Sequence, residues 1–222
     1  MQGGIHATFK SLDIHFIKGE ATSISPNTFK VNDQTITATD VILATGSRPF
    51  VPEIPGLAEV NYLTTDTIFE LNDLPKQLVI IGGGVIAVEL AFALEAIGSQ
   101  VTILEVAPDI LLTEDEAARK IIKQSLSKTM TLETQAKIKH VHPDAVELED
   151  GQKYPFDQLL VATGRRPNVA LAQDMQLEFD EHKRWPKVDD YYQTSQPHVY
   201  AIGDLIGGYT LAHAASAEGI KA

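Results

Sequence analysis

The stretch "VIIGGGVIAVELAFALEAIGSQVTILE", residues 79–105, limits the possible folds more than any other part of the chain. An apolar run enters three consecutive glycines and leaves them in a pattern of helical spacing, and a second apolar run follows. We read a strand over Leu78–Ile81, a helix over Val85–Ile97 and a strand over Val101–Leu104, with Gly98 as a left-handed helix end. Gly82, Gly84 and Ala87 fit G-x-G-x-x-G/A, and Glu105 stands 23 positions after Gly82. A bare match is weak, but between a strand and a helix, with an acid beyond, it is a dinucleotide fingerprint. Gly82 permits the tight turn, Gly84 lets the backbone approach a diphosphate, and Ala87 lets the helix lie close on the strands. Gly83, Val85 and Ile86 complete the loop and first turn, whose unpaired N–H groups and positive dipole end favour phosphate. Glu105 is expected to accept hydrogen bonds from the adenosine ribose hydroxyls and to repel a 2′-phosphate. The following "VAPD" brings no Arg or Lys to reverse this, so NAD is expected over NADP. The competing reading is a glycine-rich turn that only packs a helix on a sheet.

Composition narrows the partners. The 222 residues carry a net charge of −12 and show no basic stripe, which argues against nucleic acid. The chain has no cysteine, so it holds no disulfide, thiolate zinc site or cysteine nucleophile. No apolar run is long enough to span a bilayer, and "MQGGIHATFKSLDIHF" lacks the apolar core of a signal peptide. The expected location is the cytosol, with no membrane partner.

Along the chain, residues 12–25 and 28–31 read as strands with a turn at Asn32-Asp33, and 40–49 as an apolar strand ending in a small-residue turn. "PFVPEIPG" (49–56) holds three prolines and reads as a linker. Thr65 or Asp66 is expected to cap a short helix running to Leu71. Thr113 with Glu116 reads as a capping box for the helix through Ala118, Ile121, Ile122 and Leu126. The chain then repeats itself. "DQLLVATGRRP" (157–167) echoes "DVILATGSRP" (40–49), and the hairpins before them match, 27–38 against 144–155. This implies two domains of similar architecture; the alternative is two buried strands that each enter a turn. The order of strands and helices is a βαβ nucleotide-binding layout with a small antiparallel insertion, an α/β fold.

"VIIGGGVIAVE", "VATGRRPN", "SQPHVYAIGDLIGG" and "LAHAASAEG", in this order, resemble the flavin-dependent pyridine nucleotide–disulfide oxidoreductases, nearest to their dihydrolipoamide dehydrogenase branch. The resemblance runs along essentially the whole chain. It implies two Rossmann-like three-layer domains, an FAD domain split in sequence by an inserted NAD domain. Residues 1–62 and 170–222 would be parts of an incomplete FAD domain and 63–169 the NAD domain. It implies that Ala44, Thr45 and Gly46 lie against FAD, and that Gly203 and Asp204 of "AIGD" bind it, Asp204 through the ribityl or phosphate-proximal hydroxyls. The helix opening at Leu211, Ala212 and His213 would face the flavin pyrimidine, where its N–H groups stabilise the negative charge of the reduced ring. Gly164 would lie near the bound nicotinamide nucleotide. Glu89 would reach toward the flavin and pair with a lysine, or else belong to an exposed helix face.

The family passes electrons from a dithiol through a cysteine pair and FAD to NAD. Its C-x-x-x-x-C, its first glycine fingerprint for FAD and its C-terminal dimerisation domain with a His-Glu pair are not in these 222 residues. The chain is therefore expected to be a fragment of a longer homodimeric enzyme with a disulfide or dithiol substrate. Alone it has no catalytic residue, is inactive toward lipoamide and binds FAD weakly if at all. The alternatives are a mercuric reductase, glutathione reductase or soluble transhydrogenase relative, or a non-catalytic NAD-binding module. No metal site is expected. His140 and His142 alternate on a strand and are expected to be exposed, His213 to pack or solvate, and Trp185 to pack beside its turn. His6, His15, His182 and His198 carry no pattern.

Overall fold

The computed structural model describes residues 12 and 14–222 and divides the chain into two compact units, one ending at Ser47 and resuming at Pro167–Ala222, the other Arg48–Arg166. Its strands are β1 (Ala21–Ser25), β2 (Thr28–Val31), β3 (Gln34–Thr37), β4 (Val41–Leu43), β5 (Ser47–Pro49), β6 (Gln77–Ile81), β7 (Gln100–Glu105), β8 (Thr131–Thr134), β9 (Ile138–Val141), β10 (Ala145–Leu148), β11 (Lys153–Pro155), β12 (Gln158–Val161), β13 (Arg165–Pro167) and β14 (Val199–Ala201). The α-helices are α1 (Val85–Ala96), α2 (Glu116–Leu126), α3 (Ala170–Asp174) and α4 (Ala212–Lys221).

The second unit is built on a four-stranded parallel sheet in the order β12-β6-β7-β8. β6 lies at its centre and is apolar on both faces, as a doubly covered parallel strand must be. Leu78 and Ile80 point into one core with Ala87, Val88 and Ala91 of α1 and Leu126 of α2. Val79 and Ile81 point into another with Val141 of β9, Val146 and Leu148 of β10 and Phe156. Helices, parallel sheet and the antiparallel β11-β10-β9 sheet thus form three layers. Ile80, with none of its surface exposed, contributes about 2 kcal/mol by burial alone. Ala87 and Ala91, equally buried, let α1 sit close on β6 and β7.

The first unit holds the antiparallel sheet β1-β2-β3 and the parallel pair β14-β4. Its core joins Phe29, Leu43, Met175, Leu177, Val199, Ala201 and Leu205. The echoed segments take the same form in each unit: a hairpin (β2-β3, β10-β11), then a parallel strand (β4, β12).

Several expectations shift. The strand read over 12–25 is regular only from Ala21, and position 13 lies outside the described residues, as do 1–11 with His6. The strand read over 40–49 closes at Leu43, because Gly46 turns the chain at φ +66° before β5. Residues 49–56 do not float as a linker: Val51 and Ile54 pack on the second core beside Leu57, Val60 and Tyr62. The two compact units divide the sequence at 47/48 and at 166/167. Thr65 and Asp66 cap nothing. The short helix is a 3₁₀ turn over Ile68–Glu70 with Thr67 at its start and no side-chain cap. Asp115, not Thr113, caps α2, its Oδ1 accepting the Ala117 and Ala118 amides at 2.9 and 3.2 Å. Gly98 does end α1, at φ +114°.

Candidate functional site

The parallel sheet of the second unit ends at the glycine loop. Gly82 donates its N–H to Leu104 O at 2.9 Å and holds φ at +114°, a region that side-chain-bearing residues rarely enter. A Cβ there would stand 2.5 Å from the Ala162 carbonyl oxygen, so β6 and the end of β12 meet only through glycine. Gly84 differs. It is exposed and extended, nothing lies within 4 Å of an added Cβ, and it begins α1 without a side-chain cap. The first turn of α1 begins there, with Val85 exposed and Ile86 half-buried, and its N–H groups take no intrahelical partner. Gly164, after β12, is exposed and at φ +113°. The structure thus brings Gly82, Gly83, Gly84, Val85, Ile86 and Glu105 together.

Glu105 is half-buried and both carboxylate oxygens are engaged. Oε2 accepts the Gly83 N–H at 2.5 Å and Oε1 the Ala107 N–H at 2.7 Å. Val106, next along, is 72% exposed and offers an apolar surface beside the acid. Two of the three cations of α2 are drawn elsewhere: Lys123 Nζ donates to Asp109 Oδ1 at 2.7 Å, and Arg119 Nη1 lies 3.4 Å from Asp109 Oδ2. These contacts, the Lys123 hydrogen bond first, hold the Asp109 carboxyl below the usual carboxylate range. Glu89 is exposed on α1.

In the first unit, Ala44 and Thr45 are exposed after β4, and Gly46 follows at φ +66°. Thr45 Oγ1 donates to Asn168 O at 2.7 Å. Asn168 returns its N–H to Gly46 O and its Nδ2 to Thr45 O, each at 2.9 Å. Asp204 Oδ2 accepts the Ser47 hydroxyl at 2.6 Å, and the Gly203 N–H donates to Glu218 Oε2 at 2.6 Å. Leu211 begins α4 without a side-chain cap, and Leu211, Ala212 and His213 are all exposed.

The sequence reading missed Ser47, Glu218, Asn168, Asp109, Arg119 and Lys123. Asn168 left a signal as the residue closing "VATGRRPN", and Ser47 one inside the echoed 40–49. The histidine pair differs from expectation. His140 and His142 are half-buried, their rings stacked at 4.6 Å, and His142 Nε2 lies 2.8 Å from Glu147 Oε2. His140 is covered by Gly56, whose φ of +81° and missing side chain admit the ring. Lys139 first, then His142, hold the Glu147 carboxyl down to about 2. Trp185 packs as expected, its ring against Gly207 and under the Arg184 guanidinium at 4.3 Å. Among the described residues no group of three or more His, Cys, Asp or Glu has metal-holding geometry, and no helix is long and apolar enough to cross a membrane.

The family described as Pyridine nucleotide-disulphide oxidoreductase matches residues 1–219. A mercuric reductase of Staphylococcus aureus is 36% identical over 215 residues, covering 91% of this chain and 39% of its own length. Dihydrolipoyl dehydrogenase of Acholeplasma laidlawii is 34% identical over 230 residues, 100% of this chain and 68% of that protein; its counterpart in Geobacillus stearothermophilus is 36% identical over 237 residues, 99% and 49%. Among solved structures, the Cu(II) complex of the HOCl-induced flavoprotein disulfide reductase RclA from Escherichia coli superposes with a TM-score of 0.89 at 27% identity, over 99% of this chain and 52% of that one. Reduced Bacillus anthracis CoADR-RHD gives 0.87 at 27% identity, over 98% and 44%. The chain spans about half the length of most relatives it matches.

Proposed function

The chain belongs to the flavin-dependent pyridine nucleotide-disulphide oxidoreductase family, and from that premise we infer that its second unit binds NAD as the electron acceptor of a dihydrolipoamide dehydrogenase-type enzyme. The observation that carries this reading is the open Gly84 cradle at the start of α1 with the Glu105 carboxylate beside it. The donor set fits the group. Amides at an uncapped helix start receive a diphosphate, and a carboxylate has lone pairs for ribose hydroxyls. Arg119 and Lys123, two of the three cations of α2, are drawn to Asp109 and so are engaged away from a 2′-phosphate. Gly164 lies at the same sheet end and leaves room for the nicotinamide half. Glu89, exposed on α1, is read as a supporting residue toward the flavin.

On the first unit, Asp204, the Ala44–Gly46 turn and the exposed α4 start at Leu211, Ala212 and His213 fit the FAD role, with Gly203 shaping the turn. Asp204 would accept flavin-side hydroxyls, and the first-turn amides of α4 would face the ring edge that gains negative charge. When bound, flavin and nicotinamide supply the two-electron chemistry. The chain's own residues bind and orient. With one glycine fingerprint and no cysteine, they provide the NAD grip and not the dithiol exchange. The domain scheme we assign is an NAD domain inserted in an FAD domain, and the cytosol is the proposed location, with a homodimer formed by the whole enzyme. The mercuric reductase relatives, at the same level of identity, support a second reading in which the substrate is a metal ion and the NAD-side grip is unchanged.

Calorimetric titration of the 222-residue chain with NADH, with the visible spectrum recorded in parallel, tests the reading. We expect saturable NADH binding and no lipoamide turnover by the chain alone. No binding heat contradicts the NAD site, and flavin-linked turnover contradicts the division of labour.

A further inference from the structure

The dinucleotide fingerprint accounts for Gly82 and Gly84 and leaves Gly83 unexplained, since its position tolerates any residue. Gly83 does not sit in the left-handed region, so backbone freedom is not why it is glycine. A Cβ there would stand 2.8 Å from Ile110 Cγ2, 2.9 Å from Glu105 Oε2 and 3.0 Å from Glu105 Cγ. The room a side chain needs is filled by the acid and by a fully buried isoleucine. Both peptide groups flanking Gly83 are tied to the same loop. The Gly83 N–H donates to Glu105 Oε2 at 2.5 Å, and the Gly83 carbonyl accepts the Leu111 N–H at 2.8 Å. Leu111 is itself fixed, buried and held at φ +53°. The peptide that carries the Gly84 N–H therefore has a set orientation. A carboxylate has about four lone-pair sites. The main chain takes one on each oxygen of Glu105, through Gly83 and Ala107, and the rest stay available for hydroxyls.

We propose that Glu105 is a positioning residue for the diphosphate cradle as well as a ribose acceptor, and that Gly83 is glycine to admit its carboxylate. The identity of the ligand rests on the NAD reading above; the latch between Glu105 and Gly83 belongs to the chain without ligand. A preorganised loop loses less freedom on binding, so ribose recognition and diphosphate grip are coupled through one side chain.

The test uses a ligand with no ribose. In the 222-residue chain without nucleotide, amide exchange by NMR should show the Gly83 N–H protected, with a downfield proton shift, and Glu105→Gln should speed its exchange at least about tenfold. Inorganic pyrophosphate, followed at the Gly82–Gly84 amides, should bind the wild type and bind Glu105→Gln about tenfold more weakly, the loss of one charge-assisted hydrogen bond. The sign is decisive. A residue that only meets ribose leaves pyrophosphate affinity unchanged, or raises it by removing a negative charge. Gly83→Ala keeps the charge but displaces the carboxylate and should weaken pyrophosphate binding as well. A Gly83 amide exchanging at the rate of an open loop overturns the proposal, as does Glu105→Gln binding pyrophosphate as tightly as wild type, or no pyrophosphate response in the wild type. Protected Gly83 with pyrophosphate binding but no NADH binding would sink the NAD reading and leave the latch standing.

Discussion

The Thr45 hydroxyl donates to the carbonyl of Asn168 at 2.7 Å, although 123 residues separate them. The same bond recurs in the other unit, where Thr163 Oγ1 donates to Phe50 O at 2.7 Å. Phe50 stands five residues after Thr45 and Asn168 five after Thr163, so each echoed turn is closed by the continuation of the other copy. The backbone follows suit, with Asn168 N to Gly46 O and Phe50 N to Gly164 O, both at 2.9 Å. The repeat is thus a pair of reciprocal closures, and the two threonines are their pins.

Removing a pin has a defined cost. Thr163→Val keeps the shape and deletes the donor to Phe50, and because Thr163 is half-buried we expect a loss of about 1 kcal/mol. Thr45→Val, at an exposed position where water replaces the lost partner, should cost less. Urea midpoints of the two variants, measured side by side, check the order.

The glycines of the loop separate stability from binding. Gly82→Ala combines a φ of +114° with a Cβ 2.5 Å from Ala162 O, and about 3 kcal/mol of destabilisation is expected. Gly84→Ala meets no protein atom and has an ordinary extended φ of −75°, so stability should change by less than about 1 kcal/mol. NADH affinity should nevertheless fall at least about tenfold, because the new methyl occupies the cradle. Thermal unfolding with and without NADH distinguishes the two; a Gly84→Ala chain that binds NADH normally contradicts the cradle.

Acid should weaken the β9-β10-β11 sheet. Glu147 is held from its usual 4.5 down to about 2, chiefly by Lys139 and then by His142. A carboxylate depressed in the folded state stabilises above its unfolded value and loses that contribution as pH falls through its folded one. The second unit should therefore lose stability as pH drops from about 4.5 toward 2. Glu147→Gln should flatten that part of the profile, and denaturation midpoints across the range measure it.

Local spacing made the glycine loop and its flanking elements legible. Gly82, Ala87 and Glu105 lie on one strand–turn–helix–strand run, and periodicity placed each on its element. The echo of "ATGSRP" and "ATGRRP" disclosed two units, because the same strand and turn need the same residues. What escaped was decided by contacts between distant segments. The prolines of 49–56 suggested a linker, but Val51, Ile54 and Leu57 carry enough apolar surface to bind that segment to the β9-β10 core. Asp115 outcompeted Thr113 as a cap because a carboxylate near a helix start gains from the dipole as well as the hydrogen bond. His140 is expected to be exposed because no third metal ligand lies near in sequence, but the packing of Gly56 and the stacked His142 ring cover it. The bond from Gly83 to Glu105 spans 22 residues, and no propensity encodes it.

In our proposal the loop at 82–84 grips a dinucleotide while Glu105 selects the sugar without a 2′-phosphate. Parallel equilibrium titrations of the 222-residue chain with NADH and NADPH, at one ionic strength, measure it directly. NADH should bind saturably and at least about tenfold tighter than NADPH, the repulsion of a phosphate by one partly buried carboxylate. Equal or tighter binding of NADPH, or no binding of either nucleotide, would contradict it.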